Sequence, residues 1–285
     1  MRQLIIFDFD GTLTDAELEG APFKGGYLKD LATLCARPID EIEIRATEIE
    51  KEISANPEGY GWIFNQQIVA PATVDPYLRM MPVARKILDE SEALLNPQDR
   101  ERVLDGLLYK YNYQKTTQVF RNGAMELLQA LVDEQCYIVT NSHTDAVQHK
   151  LSLLENKRKQ GKSLSPFQSR VFGRAQKYVV DPTFDLVPES LTLPELSRPV
   201  LLRRRHYYQV LNELLSSCNL DWSQLWIFGD IFELDLSLPL SLGAQVGLVV
   251  NPFTPSWELN FLQSHPRGHL INDLSEVLSL TQNNA

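Results

Sequence analysis

Residues 4–13 read Leu-Ile-Ile-Phe-Asp-Phe-Asp-Gly-Thr-Leu. The apolar run over 4–9, rich in β-branched and aromatic side chains, fits a strand buried on both faces, as in a parallel sheet. Asp10-Gly11-Thr12 ends it with turn chemistry. Asp8 and Asp10 stand two apart. On an extended chain residues i and i+2 share a side, so their carboxylates are expected to converge. Two close carboxylates repel unless one is protonated or a cation lies nearby.

Strand-like runs of the same kind recur further along. Residues 136–139 end in Thr140-Asn141-Ser142, residues 225–228 end in Gly229-Asp230, and residues 244–250 end in Asn251-Pro252. Shorter candidate strands lie at 170–172 and 178–180. Between these runs, helical patterns occupy 123–132, 145–154 and 207–215. Parallel strands need crossover segments, usually helices, so the alternation predicts an α/β sheet. In such sheets ligands bind at the carboxyl ends of the strands, where Asp8, Asp10, Thr140 and Asp230 fall, with Asp235 five residues beyond the last. Residues 16–117 differ. Ile39, Ile42, Ile49 and Ile53 suggest one helix; Val83 to Leu95, opened near Pro82, suggest a second; Asn96-Pro97 starts a third through Val103, Leu107 and Leu108. The expected organisation is an α/β core over 1–15 and 118–285, with a helical insertion over 16–117. Within it, Tyr60 and Trp62 read as part of the insertion's own core.

The 285 residues are 44% hydrophobic and 22% charged, an ordinary globular composition. A formal charge of −10 argues against duplex nucleic acid as the main partner. It is compatible with a small anion, because a few local cations or a metal offset it. Cys35, Cys136 and Cys218 are far apart and odd in number, so no disulfide framework is expected and a reducing compartment fits. The first apolar run is too short for a signal peptide or a membrane helix, which predicts a cytoplasmic protein with no membrane partner.

Several carboxylates with few histidines or cysteines suit a hard ion such as magnesium. Thr140 and Asn141, at a strand-to-helix turn, offer a hydroxyl and backbone N–H groups to phosphate oxygens. A cation completes such a site, and the chain offers Lys177 or the run Arg203-Arg204-Arg205. Phosphoryl transfer needs in-line positioning and neutralised oxygens, and this set supplies both. His143 follows Asn141 and reads as a surface residue.

Three stretches in order resemble the motifs of the haloacid dehalogenase superfamily: Asp8-Phe9-Asp10-Gly11-Thr12-Leu13, Ile138-Val139-Thr140-Asn141, and Ile227-Phe228-Gly229-Asp230 followed by Asp235. The helical block lies where that family places its type-one cap. The resemblance implies a Rossmann-like sheet of order 5-4-1-2-3 and a cap that opens and closes. It implies Asp8 as the nucleophile that takes the phosphoryl group, and Asp10 as the acid that protonates the leaving oxygen and then activates water. It implies Thr140 and the Asn141 backbone as phosphate ligands. Magnesium would be held by Asp8, the Asp10 carbonyl and Asp230, with Asp235 acting through water or orienting the ligands. The dehalogenases that name the family lack an aspartate at the Asp10 position, so Asp10 favours phosphate esters over carbon–halogen bonds. The family's third-motif cation is open between Lys177 and Arg203 or Arg204, because the segment between them is longer than usual; an extra hairpin over 178–202 would bring both cations near the site. The expected activity is hydrolysis of a small phosphorylated metabolite. The alternatives are a phosphomutase, a phosphonatase drawing a lysine such as Lys24 or Lys29 from the cap, or a degenerate binding module.

Overall fold

A computed structural model describes residues 2–112 and 119–283. Along the chain, β1 (Leu4–Phe7) is followed by α1 (Ala16–Leu34) and α2 (Ile39–Ala55), then by the short strands β2 (Gly61–Phe64) and β3 (Gln67–Pro71), and by α3 (Pro76–Glu90) and α4 (Pro97–Asn112). The alternating part comes next: α5 (Ala124–Leu131), β4 (Cys136–Val139), α6 (Thr144–Asn156), β5 (Val171–Phe172), β6 (Ser190–Leu191), β7 (Val200–Leu201), α7 (Arg205–Cys218), β8 (Leu225–Gly229), α8 (Ser237–Ser241), β9 (Gln245–Val249), α9 (Ser256–Ser264), β10 (Gly268–Ile271) and α10 (Ser275–Asn283). The chain divides into two compact units. One holds Met1–Asp15, Ile63–Ala70 and Phe120–Ala285; the other holds Ala16–Trp62 and Pro71–Val119. The expected boundary at 117–118 lies outside the described residues.

The first unit is built on a parallel six-stranded sheet of order β10-β9-β8-β1-β4-β5. This is the expected 5-4-1-2-3 order extended by one edge strand, β10, which the sequence did not announce. β1 is central because it is apolar on both faces. Leu4 and Ile6 pack into one core layer, with Leu211, Leu214 and Trp257 among its members. Ile5 and Phe7 pack into the other, with Leu127, Leu151 and Val277. The predicted strand at 178–180 is instead turn and irregular chain. Residues 190–201 do form a hairpin, in which β6 and β7 pair antiparallel.

The same unit takes in Ile63–Ala70, the tip of the β2–β3 hairpin. Its turn residues Asn65 and Gln66 have φ values of 48° and 64°, the two left-handed centres of a type I′ turn. Phe64 packs edge-on against Tyr178, with ring centroids 5.7 Å apart. The sequence showed this stretch only as aromatics and glycines within a helical block. Gln66 stands where the usual hairpin signal carries glycine.

The second unit is helical, with one core formed by all four of its helices, including Phe23, Tyr27, Leu31, Ile42, Ile49, Val83, Ile87 and Leu104. Asp75 caps α3 by accepting from the Tyr77 and Leu78 N–H groups, and Pro76 opens that helix. The buried Arg79 is held by the Thr73 carbonyl at 2.5 Å and by Glu17 at 2.6 and 2.7 Å. Among the described residues no helix is long and apolar enough to cross a membrane.

Candidate active site

The parallel strands β1, β4 and β8 end together, and the acids that follow β1 and β8 meet. Asp8, Asp230 and Asp235 bring carboxylate oxygens within 4.8 Å of one another, all three residues being buried. Asp8 follows β1 directly, and its N–H continues the pairing by donating to the Phe228 carbonyl. Asp230 follows β8. Asp235 lies on a single π-helical turn, Phe232–Leu236, and its carboxylate accepts from the Ile231 N–H at 3.1 Å. Two glycines make the convergence possible. Gly11 has φ +83°, and the place its Cβ would take is filled by the Asp230 carboxylate. At Gly229 a Cβ would strike the Asp235 side chain.

Lys177 enters this cluster. Its ammonium, 1% exposed, donates to Asp8 at 2.7 Å and to Asp235 at 2.8 Å. Thr12 Oγ1 stands 3.4 Å from both Asp8 and Asp230. Burial pushes the Asp8 carboxyl up to about 7; the Lys177 ammonium works against this, and the charges of Asp235 and Asp10 add to it. Burial works to lower the Lys177 pKa, but Asp235 and Asp8 outweigh it and hold the ammonium above its usual range. Lys177 is thus shared between two of the three clustered carboxylates, and all the donors are oxygens. The set therefore fits a hard divalent cation.

Two groups place Lys177. Its N–H donates to the Asn141 side chain at 2.8 Å, which ties it to the turn after β4. Its carbonyl accepts from Arg204, a fully buried guanidinium that also holds the Leu201 carbonyl at 3.0 Å and the Val69 carbonyl at 2.8 Å. Burial brings Arg204 down to about 10, against the pull of Glu233 and Asp235. Arg204 thus braces the Lys177 backbone, and its hydrogen bonds go to carbonyls and not to the clustered carboxylates. Arg203, expected as a phosphate ligand, is not at the cluster either: its guanidinium donates to the Pro182 carbonyl at 2.7 Å. The reason is that residues 181–203 leave and return as a closed excursion, shut by the Asp181 N–H on the Arg203 carbonyl.

Thr140 is buried. Its hydroxyl accepts from the Ser142 N–H at 3.1 Å, and its carbonyl accepts from Ala175. Asp10 departs from the expected convergence. The strand ends at Phe7, so the i, i+2 rule of an extended chain no longer governs Asp10. Its side chain turns to the next βα unit, where Ser142 Oγ donates at 2.5 Å and Lys150 Nζ at 2.9 Å. Neither partner was singled out from the sequence. Ser142 follows the second motif directly and could have been; Lys150 sits inside α6 with no local signal. Tyr207, also unforeseen, donates to the Asp235 carbonyl at 2.9 Å and lies under the Lys177 ammonium. His143 pairs with exposed Arg174 at 3.0 Å.

A second acidic cluster lies on the other side of the π-helical turn. Glu233 is gripped by Arg198 through both oxygens, at 2.7 and 2.5 Å. Glu258 accepts from the Phe232 N–H at 3.4 Å, and its other oxygen has no hydrogen-bond partner among the described residues. Burial, with the charge of Glu233 beside it, raises the Glu258 pKa well above the usual value.

Comparison with known proteins agrees with this architecture. A family model described as a haloacid dehalogenase-like hydrolase matches residues 3–187, and the chain belongs to that family. No curated protein matches it. Among solved structures, a Bacillus subtilis protein described as a HAD-hydrolase, YfnB, bound to magnesium, is 15% identical with a TM-score of 0.54, covering 99% of this chain and 100% of its own. A protein from Haemophilus somnus 129pt described as a predicted phosphoglycolate phosphatase is 18% identical with a TM-score of 0.54, covering 99% and 98%. A haloacid dehalogenase-like protein from Agrobacterium tumefaciens is 13% identical with a TM-score of 0.54, covering 100% and 99%. These likenesses show the shared fold.

Proposed function

We propose that this hydrolase cleaves small phosphomonoesters through a phospho-aspartate on Asp8. The observation that carries the proposal is the division of labour between the two aspartates of residues 8–10. Asp8 sits buried against Lys177 and two further carboxylates, while Asp10 is held aside on a hydroxyl and an ammonium. A carbon–halogen bond needs no second carboxylate to protonate its leaving group; an alkyl phosphate does.

Asp8, Asp230 and Asp235, with the Asp10 carbonyl that the family uses, would hold magnesium, which when bound neutralises phosphate charge and favours the ionised form of Asp8. The B. subtilis fold-mate described with magnesium is consistent with this choice of ion. Lys177 and the Thr140–Asn141 turn hold phosphate oxygens. The cycle starts with Asp10 protonated: a carboxylate oxygen of Asp8 attacks phosphorus, the bond to the leaving oxygen breaks, and that oxygen takes the proton from Asp10, which is left as the carboxylate that accepts from Ser142 and Lys150. Water then attacks phosphorus, Asp10 takes a proton from it, and the bond to Asp8 breaks. Phosphate leaves, and both aspartates return to their starting states.

The test is phosphate release from a panel of phosphorylated metabolites, with magnesium and with EDTA, for the wild type and Asp8→Asn. The expected result is magnesium-dependent release that falls at least about a thousandfold in the variant. Release that survives in Asp8→Asn removes the nucleophile assignment. No release from any substrate by the folded wild type removes the hydrolytic proposal.

A further inference from the structure

We infer that Lys150 is a positioning residue for the proton-transfer step: with Ser142 it holds the Asp10 carboxylate apart from the buried triad. This rests on the phosphatase reading above.

Both Asp10 oxygens are taken, Oδ2 by Ser142 Oγ at 2.5 Å and Oδ1 by Lys150 Nζ at 2.9 Å. Lys150 is itself steadied, with its ammonium 5.4 Å from the centre of the Phe9 ring. The geometry follows from α6. Val147, Leu151 and Leu154 bury one stripe of that helix in the core. Lys150, three residues after Val147, stands on the flank of that stripe, where its long stem reaches back over the strand ends. Ser142 lies on the turn that joins β4 to α6. One βα unit thus supplies the turn expected to hold phosphate and both groups that aim the acid.

The arrangement has a chemical purpose. Three carboxylates already stand together there, two of them on one lysine, and a fourth turned into the same pocket would add repulsion and no proton donor to the leaving side. Lys150 draws the fourth away and fixes where it stands. The pair is partly open, with the Lys150 side chain 20% and the Asp10 side chain 37% exposed. Ion pairs of this exposure contribute little to stability, so a variant at Lys150 should fold, and its effect should lie on the rate.

The experiment compares two leaving groups in a single turnover. An alkyl phosphate, the best in the panel, releases an alkoxide that must be protonated; p-nitrophenyl phosphate releases a phenolate that need not be. Lys150→Met should slow first-turnover cleavage of the alkyl phosphate by about ten- to a hundredfold. First-turnover release of p-nitrophenolate should change less than about threefold, and so should KM for both. Lys150→Arg, which keeps charge and reach, should recover most of the alkyl rate. The thermal shift given by magnesium with beryllium fluoride should match the wild type, because the triad is untouched. Equal losses on both substrates, no loss on either, or no recovery in Lys150→Arg would overturn the inference while the phosphatase stands. A wild type that releases no phosphate takes both down together.

Discussion

The turn Phe232–Leu236 carries two acids that meet opposite fates. Residues two apart on a helical turn do not face each other, so Asp235 points to the strand ends and Glu233 points away. Asp235 joins Asp8 and Asp230, and it shares the Lys177 ammonium with Asp8. Glu233 is held through both oxygens by the Arg198 guanidinium, and its neighbour Glu258 is pushed toward the neutral form by burial. On one side two clustered carboxylates divide a single ammonium; on the other one carboxylate is matched by a guanidinium. Surplus buried charge of one sign is costly to keep without a partner. The difference separates the cluster proposed to hold a cation from a structural ion pair, although the two are built from the same residue types a few residues apart.

The largest expected effect sets the two cations against each other. Lys177→Met leaves Asp8 and Asp235 without their partner, and Arg198→Met does the same to Glu233. Each should cost about 3–5 kcal/mol of stability in denaturant unfolding. Only the Lys177 variant should lose turnover, and only its stability should recover in part with magnesium. Equal recovery of both would erase the distinction between the clusters.

Next in size is the metal itself. Magnesium at a hundred times its Kd should stabilise the folded protein by about 2.7 kcal/mol, read as a rise in melting temperature. Asp230→Asn should flatten that rise, and Glu258→Gln should leave it whole. A rise that persists in Asp230→Asn moves the ion elsewhere.

The smallest effect sharpens the balanced side. The folded protein keeps the Glu258 proton while the unfolded chain releases it as pH climbs past about 4.3. The stability in question is therefore complete below that pH and is lost as pH rises toward the raised folded value. Glu258→Gln cannot ionise in either state. It should melt about 2–4 °C above the wild type at pH 8 and level with it at pH 4. A variant that melts lower at pH 8 would mean that Glu258 is charged and needed there.

The features readable beforehand were those with a local signature. Four apolar runs gave away strands β1, β4, β8 and β9, and each leaves a polar residue at its carboxyl end, so the positions of Asp8, Thr140 and Asp230 followed from strand ends alone, while Asp235, five residues further on, was marked by the motif. Other features depended on distant partners. α1 was invisible because Gly20, Pro22, Gly25 and Gly26 break its pattern; it holds because Phe23, Tyr27 and Leu31 find a core to enter. Choosing between Lys177 and Arg203 required the path of the excursion between them. The direction of Asp10 required knowing that the extended backbone stops at Phe7. β10, with half-buried Gly268 and His269 at a sheet edge, lacks the apolar run that marked its neighbours.

The central place of β1 has a consequence for how the molecule is made. Its partners in the sheet begin at Cys136 on one side and at Leu225 on the other. At about 5–20 residues per second, the ribosome finishes the central strand long before either neighbour exists, whereas the helices between residues 16 and 112 find their partners close in sequence. Contacts between near neighbours form fastest, so the helical unit should close while β1 still waits. Asp235 is synthesised more than two hundred residues after Asp8. The cluster is therefore assembled only after Asp235 has been made, and no nascent chain that stops short of Asp235 carries the complete site.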